Sequence, residues 1–196
     1  MKDEPVFEYH ANEVLIEVEL PDSSIKRIKI NSGWSFGTGE HETTRLCLKA
    51  LEQLFKTENI QSVLDIGCGS GILSIASAVL GASTVRGNDI DFSIVEEART
   101  NSRNNNVLDK IQFTTQPITK PKKKVDLITA NILLQTIKFL LPDISENIVD
   151  NGFFIASGIR KTEQDEGIQL IESFGFKTKE TYSENEWIAL LFEKGV

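Results

Sequence analysis

The sequence predicts an α/β protein whose mostly parallel sheet is closed by a C-terminal antiparallel hairpin. From Ser62 onward, short apolar runs typical of buried strands alternate with segments of helical periodicity, a pattern typical of a doubly wound parallel sheet. Near the C-terminus, strand-like segments at 176–182 and 187–192 are separated by only four residues. Because a parallel crossover needs roughly a dozen residues or more, these last two strands must pair antiparallel.

The individual elements follow from local patterns. Alternating apolar residues predict strands at 14–20 and 25–30 around a turn of Pro21, Asp22 and two serines, and hence an N-terminal hairpin. Leucines at helical spacing predict a helix over 43–55. The remaining predicted strands are 63–66, 84–90, 111–115, 125–132 and 153–159, and the remaining helices are 72–80, 93–105, 134–149 with an interruption near Pro142, and 163–174.

Length and composition bound the organisation of the chain. Its 196 residues fit one α/β domain, so we assign residues 32–196 to that domain and residues 1–31 to an N-terminal extension with a hairpin. The proportions of 40% hydrophobic and 26% charged residues are those of a globular protein. No transmembrane span is predicted, and the acidic start does not resemble a secretory signal, so we expect a cytoplasmic protein.

Charge and metal-binding residue types exclude further classes. A net charge of −8 disfavours direct binding to nucleic acid and favours a protein partner. The two cysteines, Cys47 and Cys68, and the two histidines, His10 and His41, lack the spacing of a metal site. We therefore expect no metal and no association with a membrane.

The most informative motif is the run Asp65-Ile66-Gly67-Cys68-Gly69-Ser70-Gly71 between a strand and a helix. Glycines permit close approach of a ligand, and a helix N-terminus offers free N–H groups. Dinucleotide binders favour Gly-x-Gly-x-x-Gly, whereas the spacing here is Gly-x-Gly-x-Gly. Asp65 would repel a pyrophosphate and suits the ammonium group of S-adenosylmethionine. The loop and the closing hairpin, which is typical of methyltransferases, therefore predict S-adenosylmethionine as the cofactor.

An acidic residue follows the next strand along the chain. Asp89 lies 22 residues after Gly67, where a carboxylate accepts hydrogen bonds from the ribose hydroxyls of a bound adenosine. The alternative is that Asp89 caps the following helix, a role that Asp91 fits better. We expect Asp89 and the adjacent Ile90 to belong to the cofactor site.

Asn131 ends the fourth strand of the predicted sheet, at the carboxyl edge where open α/β sheets bind ligands. An amide oxygen there can hold the N–H of an acceptor amine and aim its lone pair at a methyl group. An amide cannot act as a general base, so we predict an orienting role in catalysis and a contact with the cofactor. The alternative is an asparagine that makes local turn hydrogen bonds.

The segment from Phe36 to Thr44, Phe-Gly-Thr-Gly-Glu-His-Glu-Thr-Thr, is too distinctive for a simple linker. We interpret it as a lid over the cofactor that includes Phe36, Gly37, Thr38, His41 and Thr44. The alternative role of Thr43 and Thr44 is to cap the following helix. For His41, proton relay and a structural role in the loop both remain open.

Together, residues 36–44, 64–73, 89–91 and 130–133 make the chain resemble the PrmA family, whose members methylate ribosomal protein eleven of the large subunit. The resemblance extends over roughly residues 30–192 and implies a Rossmann-like class I S-adenosylmethionine-dependent methyltransferase fold. It also implies cofactor contacts from Thr44, Gly67, Asp89 and Asn131. In the family, the acceptors are lysine side chains and an N-terminal amine of the protein substrate.

One departure concerns substrate recognition. Members of the family usually carry an N-terminal domain that grips the ribosomal protein, and only about thirty residues precede the lid motif here, too few for an independent domain. We expect a methyltransferase that modifies amino groups of a protein, and the resemblance suggests a ribosomal protein as the candidate. The alternatives are a small-molecule or RNA acceptor, and a cofactor-binding module without catalytic activity.

Overall fold

The computed structural model describes residues 5–10, 13–31, 41–118 and 123–196. The strands in these ranges are β1 (Val6–His10), β2 (Glu13–Glu19), β3 (Ile25–Asn31), β4 (Ser62–Ile66), β5 (Thr84–Asn88), β6 (Ile111–Thr114), β7 (Val125–Asn131), β8 (Ile148–Arg160), β9 (Phe176–Glu184) and β10 (Trp187–Lys194). The α-helices are α1 (Glu42–Thr57), α2 (Ile72–Leu80), α3 (Phe92–Asn104), α4 (Leu134–Asn147) and α5 (Gln164–Glu172). Short 3₁₀ turns lie at Leu108–Lys110 and Lys161–Glu163.

The main sheet has the strand order β6-β5-β4-β7-β8-β10-β9. Strands β4 to β8 pair in parallel, and β10 pairs antiparallel with both β8 and β9. The predicted architecture, a mostly parallel sheet closed by a C-terminal hairpin, is confirmed. The order reverses between β4 and β7, and in open α/β sheets a ligand crevice forms at such a reversal.

Helices cover both faces of this sheet. One apolar core contains α1, α2 and α3, and the other contains α4 and α5. Strands β1, β2 and β3 form a separate antiparallel sheet that packs on α1, α2 and α3. Helix α1 is therefore enclosed by two sheets, and this explains why Leu46, Leu48 and Leu51, which point in different directions around the helix, are all buried.

Polar contacts also join the small sheet to the main domain. The backbone N–H of Glu19 in β2 donates to Oε1 of Glu52 in α1 at 2.8 Å, and both residues are buried. Lys56 forms an ion pair with Glu19 at 3.2 Å. These contacts fix the N-terminal sheet to the helix that leads into the main domain.

Strand β1 was not predicted, because Val6-Phe7-Glu8-Tyr9-His10 shows no clean alternation and only Phe7 is half-buried. Its conformation follows from antiparallel pairing with β2, which is a contact between two segments of the chain.

The predicted interruption of the fourth long helix near Pro142 is wrong, since α4 continues to Asn147. Pro142 and Lys138 are exposed, so the carbonyl group that lacks its N–H partner can bind water, while the buried face of α4 stays on the sheet.

The start of α1 bears on the alternative role of Thr43 and Thr44 as helix caps. The N-cap is His41, whose side chain accepts the Thr43 N–H, so neither Thr43 nor Thr44 caps the helix. Both threonines lie in the first turn and are buried.

The predicted N-cap role of Asp91 on α3 is confirmed. Within the described ranges, no helix is both long enough and apolar enough to cross a bilayer.

Replacing Ile16 by alanine tests whether the small sheet is part of the same cooperative unit. Ile16 in β2 is fully buried, so Ile16→Ala should lower the free energy of unfolding by about 2–5 kcal/mol through lost burial and a residual cavity. Chemical denaturation should still show one transition. Ile25→Ala, at an exposed position on β3, is the matched control and should change stability by less than about 0.5 kcal/mol. A separate early transition in Ile16→Ala would contradict the single unit.

Candidate functional site

A cavity of about 510 Å³ lies at the carboxyl edge of the parallel strands. Its walls come from the glycine loop after β4, the ends of β5, β7 and β8, and the starts of α1, α4 and β10. The lining residues are His41, Thr43, Thr44, Ile66, Gly67, Cys68, Gly69, Ile72, Leu73, Asn88, Asp89, Ile90, Ile94, Asn131, Ile132, Leu133, Thr136, Leu140, Gly158 and Trp187. This volume is in the range of small-molecule and cofactor sites.

The glycine loop has the conformation that its residue types require. Gly67, Gly69 and Gly71 have φ angles of 67°, 53° and 83°, in the left-handed region. Gly71 is also the N-cap of α2, and a Cβ atom there would lie 3.0 Å from the Cβ of Ala98 on α3. Larger residues would be strained or would push α3 away, so the glycines set the shape of the loop.

Asp65 lies behind the glycine loop and does not line the cavity. Its carboxylate accepts hydrogen bonds from Ser74 N (3.0 Å) and Ser74 Oγ (2.6 Å) in α2 and from Thr129 Oγ1 (2.8 Å) in β7. Burial raises the pKa of Asp65 from 3.8 to about 6, although these hydrogen bonds lower it. The contacts support a role in holding the loop, rather than the direct contact with an ammonium group suggested by the sequence.

Asp89 and Ile90 follow β5 and line the cavity opposite α4. Oδ2 of Asp89 accepts the N–H of Gly69 at 3.1 Å, and Oδ1 accepts the N–H of Asp91 at 3.3 Å. A carboxylate has about four acceptor positions, so Asp89 can accept further donors from a ligand. Ile90 is 94% exposed and presents an apolar surface that a planar ring can cover.

Asn131 occupies the centre of the opposite wall. Its Nδ2 lies 3.5 Å from Oγ1 of Thr44. Its Oδ1 is buried and has no hydrogen-bond partner among the described residues. Leaving a buried acceptor unpaired costs roughly 1–3 kcal/mol. Because Asn131 lines the cavity, a ligand donor that reaches this oxygen would remove that cost.

The backbone beside Asn131 is held by β8. Ile132 N donates to the carbonyl oxygen of Ser157 at 3.1 Å. Gly158 has φ 79°, and a Cβ there would lie 2.6 Å from the carbonyl oxygen of Ile132. The side chain of Ile132 reaches back to the glycine loop, because a Cβ on Gly67 would lie 2.6 Å from its Cγ2. Ile132 therefore links the segment after β7 to the glycine loop.

The start of α1 is tied to the C-terminal hairpin. The rings of His41 and Trp187 meet edge to face, with centroids 4.9 Å apart, and both residues line the cavity. Nδ1 of His41 contacts Oγ1 of Thr43 at 2.9 Å. One turn further along α1, Arg45 Nε donates to both carboxylate oxygens of Glu184 at 3.1 Å. These contacts give His41 a structural role in the cavity wall.

Most of the predicted site residues meet at this cavity. Those that line it are His41, Thr44, Gly67, Gly69, Asp89, Ile90 and Asn131. Asp65 and Gly71 lie beside it without lining it. Phe36, Gly37 and Thr38, predicted as parts of the lid, lie outside the described residues.

Sequence reasoning did not assign several lining residues. Leu133, Thr136 and Leu140 recur at helical spacing after Asn131, and this periodicity was a usable signal. Trp187 and Gly158 come from strands more than 25 residues away from Asn131 in sequence, and no local pattern connects them with the glycine loop. Only the pairing of β8 with β7 and β10 brings them to the cavity.

The cavity offers neither a thiolate nucleophile nor a metal centre in the described part of the chain. Burial, reinforced by the negative charges of Asp65 and Asp89, raises the pKa of the Cys68 thiol, so it stays protonated. Among the described residues, no group of three His, Cys, Asp or Glu side chains is placed to hold a metal ion.

Comparison with solved structures defines the class of protein. A ribosomal protein L11 methylase from Lactobacillus delbrueckii subsp. bulgaricus superposes with a TM-score of 0.77 at 28% identity, over 85% of this chain and 84% of that one. The N-methyltransferase NodS from Bradyrhizobium japonicum, in complex with S-adenosyl-L-homocysteine, shares the fold with a TM-score of 0.66 at 13% identity, over 80% of this chain and 89% of that one. The chain has the class I S-adenosylmethionine-dependent methyltransferase fold.

Sequence comparison identifies the family. The model of the family described as ribosomal protein L11 methyltransferase (PrmA) matches residues 14–195. The chain is 41% identical over 167 residues to ribosomal protein L11 methyltransferase of Thermoanaerobacter pseudethanolicus, over 85% of this chain and 53% of the relative. It is 36% identical over 174 residues to that of Staphylococcus haemolyticus, over 88% and 55% respectively. The chain belongs to the PrmA family and spans about half the length of these relatives.

The pKa of Asp65 leads to a pH-dependent prediction. Because its folded pKa is raised to about 6, ionisation disfavours the folded state. The contribution of Asp65 to stability should therefore fall as the pH rises from about 4 to about 6, by roughly 3 kcal/mol, and then stay constant.

The measurement is urea denaturation of the natural chain and of Asp65→Asn at several pH values in this window. Asparagine keeps an oxygen acceptor but does not titrate, so the difference between the two proteins isolates Asp65. Parallel stability curves between pH 4 and 6 would show that its pKa is not raised.

Proposed function

We propose that this protein is a methyltransferase that uses S-adenosylmethionine to methylate amino groups of a protein, with ribosomal protein L11 as the expected acceptor. The observation that carries the proposal is the position of Asn131 in the lining of the cavity, with a buried Oδ1 that has no hydrogen-bond partner among the described residues. Membership of the PrmA family supports methyl transfer as the reaction and ribosomal protein L11 as the acceptor. A ribosomal protein as substrate also places the proposed activity in the cytoplasm.

The residues at the cavity fit S-adenosylmethionine. Asp89 has free acceptor capacity for the two ribose hydroxyls, and Ile90 offers an apolar surface for adenine. The glycine loop permits close approach of the methionine part to the backbone. No lysine or arginine lines the described part of the cavity. An acidic, cation-free wall favours a sulfonium over the pyrophosphate of a dinucleotide.

The chemistry proposed for the site is direct displacement. When bound, S-adenosylmethionine would supply an electrophilic methyl group on a sulfonium, and the sulfur would keep the electron pair of the broken S–C bond and leave as the thioether of S-adenosylhomocysteine. Oδ1 of Asn131 accepts an N–H of the neutral acceptor amine and orients the nitrogen lone pair towards the methyl carbon. Because a carboxamide is not a base, the proton of the amine leaves to solvent. The protonated Cys68 thiol does not compete as a nucleophile.

The first experiment is calorimetric titration of the purified chain with S-adenosylmethionine, with NAD and NADP as controls. Transfer of labelled methyl groups to ribosomal protein L11, to other proteins and to RNA then follows. Binding with transfer to L11 would support the full proposal. Transfer only to another acceptor would support the reaction and replace the substrate, and absence of binding would refute the proposal.

Asp89→Ala should weaken binding of S-adenosylmethionine by about 10- to 100-fold, since hydrogen bonds to a charged acceptor are lost. Calorimetry measures the dissociation constant. Asp91→Ala is the matched control, because Asp91 is exposed and caps α3 through Ser93. It should cost about 1 kcal/mol of stability and leave the affinity nearly unchanged. Equal affinities in both variants would exclude Asp89 as the ribose ligand.

Asn131→Ala should reduce kcat by about 10- to 100-fold because the acceptor amine is no longer oriented. The dissociation constant of S-adenosylmethionine should change by less than about threefold. Asn131→Asp keeps an acceptor oxygen at the same position and should retain more activity than the alanine variant. A parallel loss of affinity and turnover would instead indicate that Asn131 only binds the cofactor.

A further inference from the structure

Helix α3 connects the N-terminal sheet with the glycine loop through one buried side chain. Asn101 is fully buried. Its Nδ2 donates to the carbonyl oxygen of Ser70 in the glycine loop at 2.9 Å. Its Oδ1 accepts the backbone N–H of Asn31, the last residue of β3, at 3.1 Å. One carboxamide therefore satisfies two backbone groups that lie 39 residues apart in sequence.

The glycine loop needs a hydrogen bond that fixes its backbone conformation. Ser70 lies between Gly69 and Gly71, both with positive φ, and glycine backbones have more accessible conformations than any other residue. The hydrogen bond from Asn101 fixes the orientation of the Ser70 carbonyl, and therefore of the peptide plane that carries the Gly71 N–H. That N–H donates to the carbonyl oxygen of Cys68 at 2.9 Å, which closes the turn at the wall of the cavity.

A second asparagine on the same helix end binds the same strand and does not reach the loop. Oδ1 of Asn105 accepts the N–H of Lys29 at 2.8 Å, and its Nδ2 donates to the Lys29 carbonyl oxygen at 2.7 Å. Lys29 and Asn31 are two residues apart, so their N–H groups point to the same side of β3. Asn105 therefore anchors the strand, whereas Asn101 anchors both the strand and the loop.

We propose that Asn101 is a positioning residue for the cofactor site, and that through it the N-terminal sheet supports the glycine loop. The inference rests on the proposed function in one respect, namely that the ligand of the loop is S-adenosylmethionine. Asn101 acts through Ser70 and Gly71 and does not itself line the cavity. Its loss should affect loop geometry and cofactor affinity beyond any effect on the stability of the fold.

The test compares two variants of the full chain. Asn101→Asp, studied at a pH at which the new carboxyl group is ionised, keeps an acceptor for the Asn31 N–H and replaces the donor to Ser70 with an oxygen that the carbonyl repels. Asn105→Ala removes both hydrogen bonds to Lys29 and the hydrogen bond from Asn105 Nδ2 to the Asn101 carbonyl oxygen, and it leaves the Asn101 side chain in place to donate to Ser70. Both variants lose hydrogen bonds at the same end of α3, and only Asn101→Asp loses the hydrogen bond to Ser70. A difference in cofactor affinity between the two variants therefore reports on the glycine loop.

Two measurements are made on each variant and on the natural chain. Calorimetry with S-adenosylmethionine should show affinity about tenfold weaker in Asn101→Asp, the effect of one buried hydrogen bond, and little change in Asn105→Ala. Hydrogen exchange of the Gly71 amide in the unliganded protein should be faster in Asn101→Asp than in Asn105→Ala, because the turn that protects this amide opens more often.

The outcomes separate this inference from the proposed function. If the natural chain binds S-adenosylmethionine and the two variants show equal affinity and equal Gly71 exchange, the inference is overturned and the function stands. If the natural chain does not bind, the proposed function fails, and the exchange comparison still decides whether Asn101 holds the loop. Equal unfolding free energies with unequal affinities would give the strongest support.

Discussion

The buried carboxylate of Asp65 is the interaction on which the rest of the site depends. Asp65 is the next-to-last residue of β4, accepts two hydrogen bonds from Ser74 at the start of α2, and accepts one from Thr129 in β7. The glycine loop begins two residues after Asp65, and Asn131 lies two residues after Thr129. In addition to the backbone pairing of β4 with β7, this one side chain therefore joins the helix after the loop to the strand that carries Asn131. Burial disfavours the charged form of a carboxylate, and the hydrogen bonds to Asp65 offset only part of this cost. The pKa of Asp65 is therefore still raised.

The other walls of the cavity are placed by contacts across the fold. The edge-to-face contact of His41 with Trp187 joins the start of α1 to the C-terminal hairpin. Gly158 lets β8 approach the backbone of Ile132, and Asn101 joins the N-terminal sheet to the glycine loop. Each contact connects a cavity wall to an element distant in sequence. The site is therefore a property of the whole domain, and the small N-terminal sheet is structurally part of it.

The electrostatic character of the cavity agrees with a cationic ligand. Asp89 contributes a carboxylate to the wall, Asp65 lies behind the loop, and no lysine or arginine lines the described part. Burial, reinforced by the same negative charges, raises the pKa of the Cys68 thiol and keeps it protonated. The proposed binding of S-adenosylmethionine and an acceptor amine also rests on the unpaired amide oxygen of Asn131 and the exposed apolar side chain of Ile90.

The amino-acid sequence by itself determined the alternation of strands and helices, the closing hairpin, the glycine loop and the positions of Asp89 and Asn131, because each depends on a short local pattern. Tertiary structure alone decided that β1 forms, that α4 continues through Pro142 and that His41 caps α1. It also brought Trp187 and Gly158 to the cavity and Asn101 to the loop. These features depend on pairing and burial between segments far apart in the chain, and local periodicity carries no information about such partners.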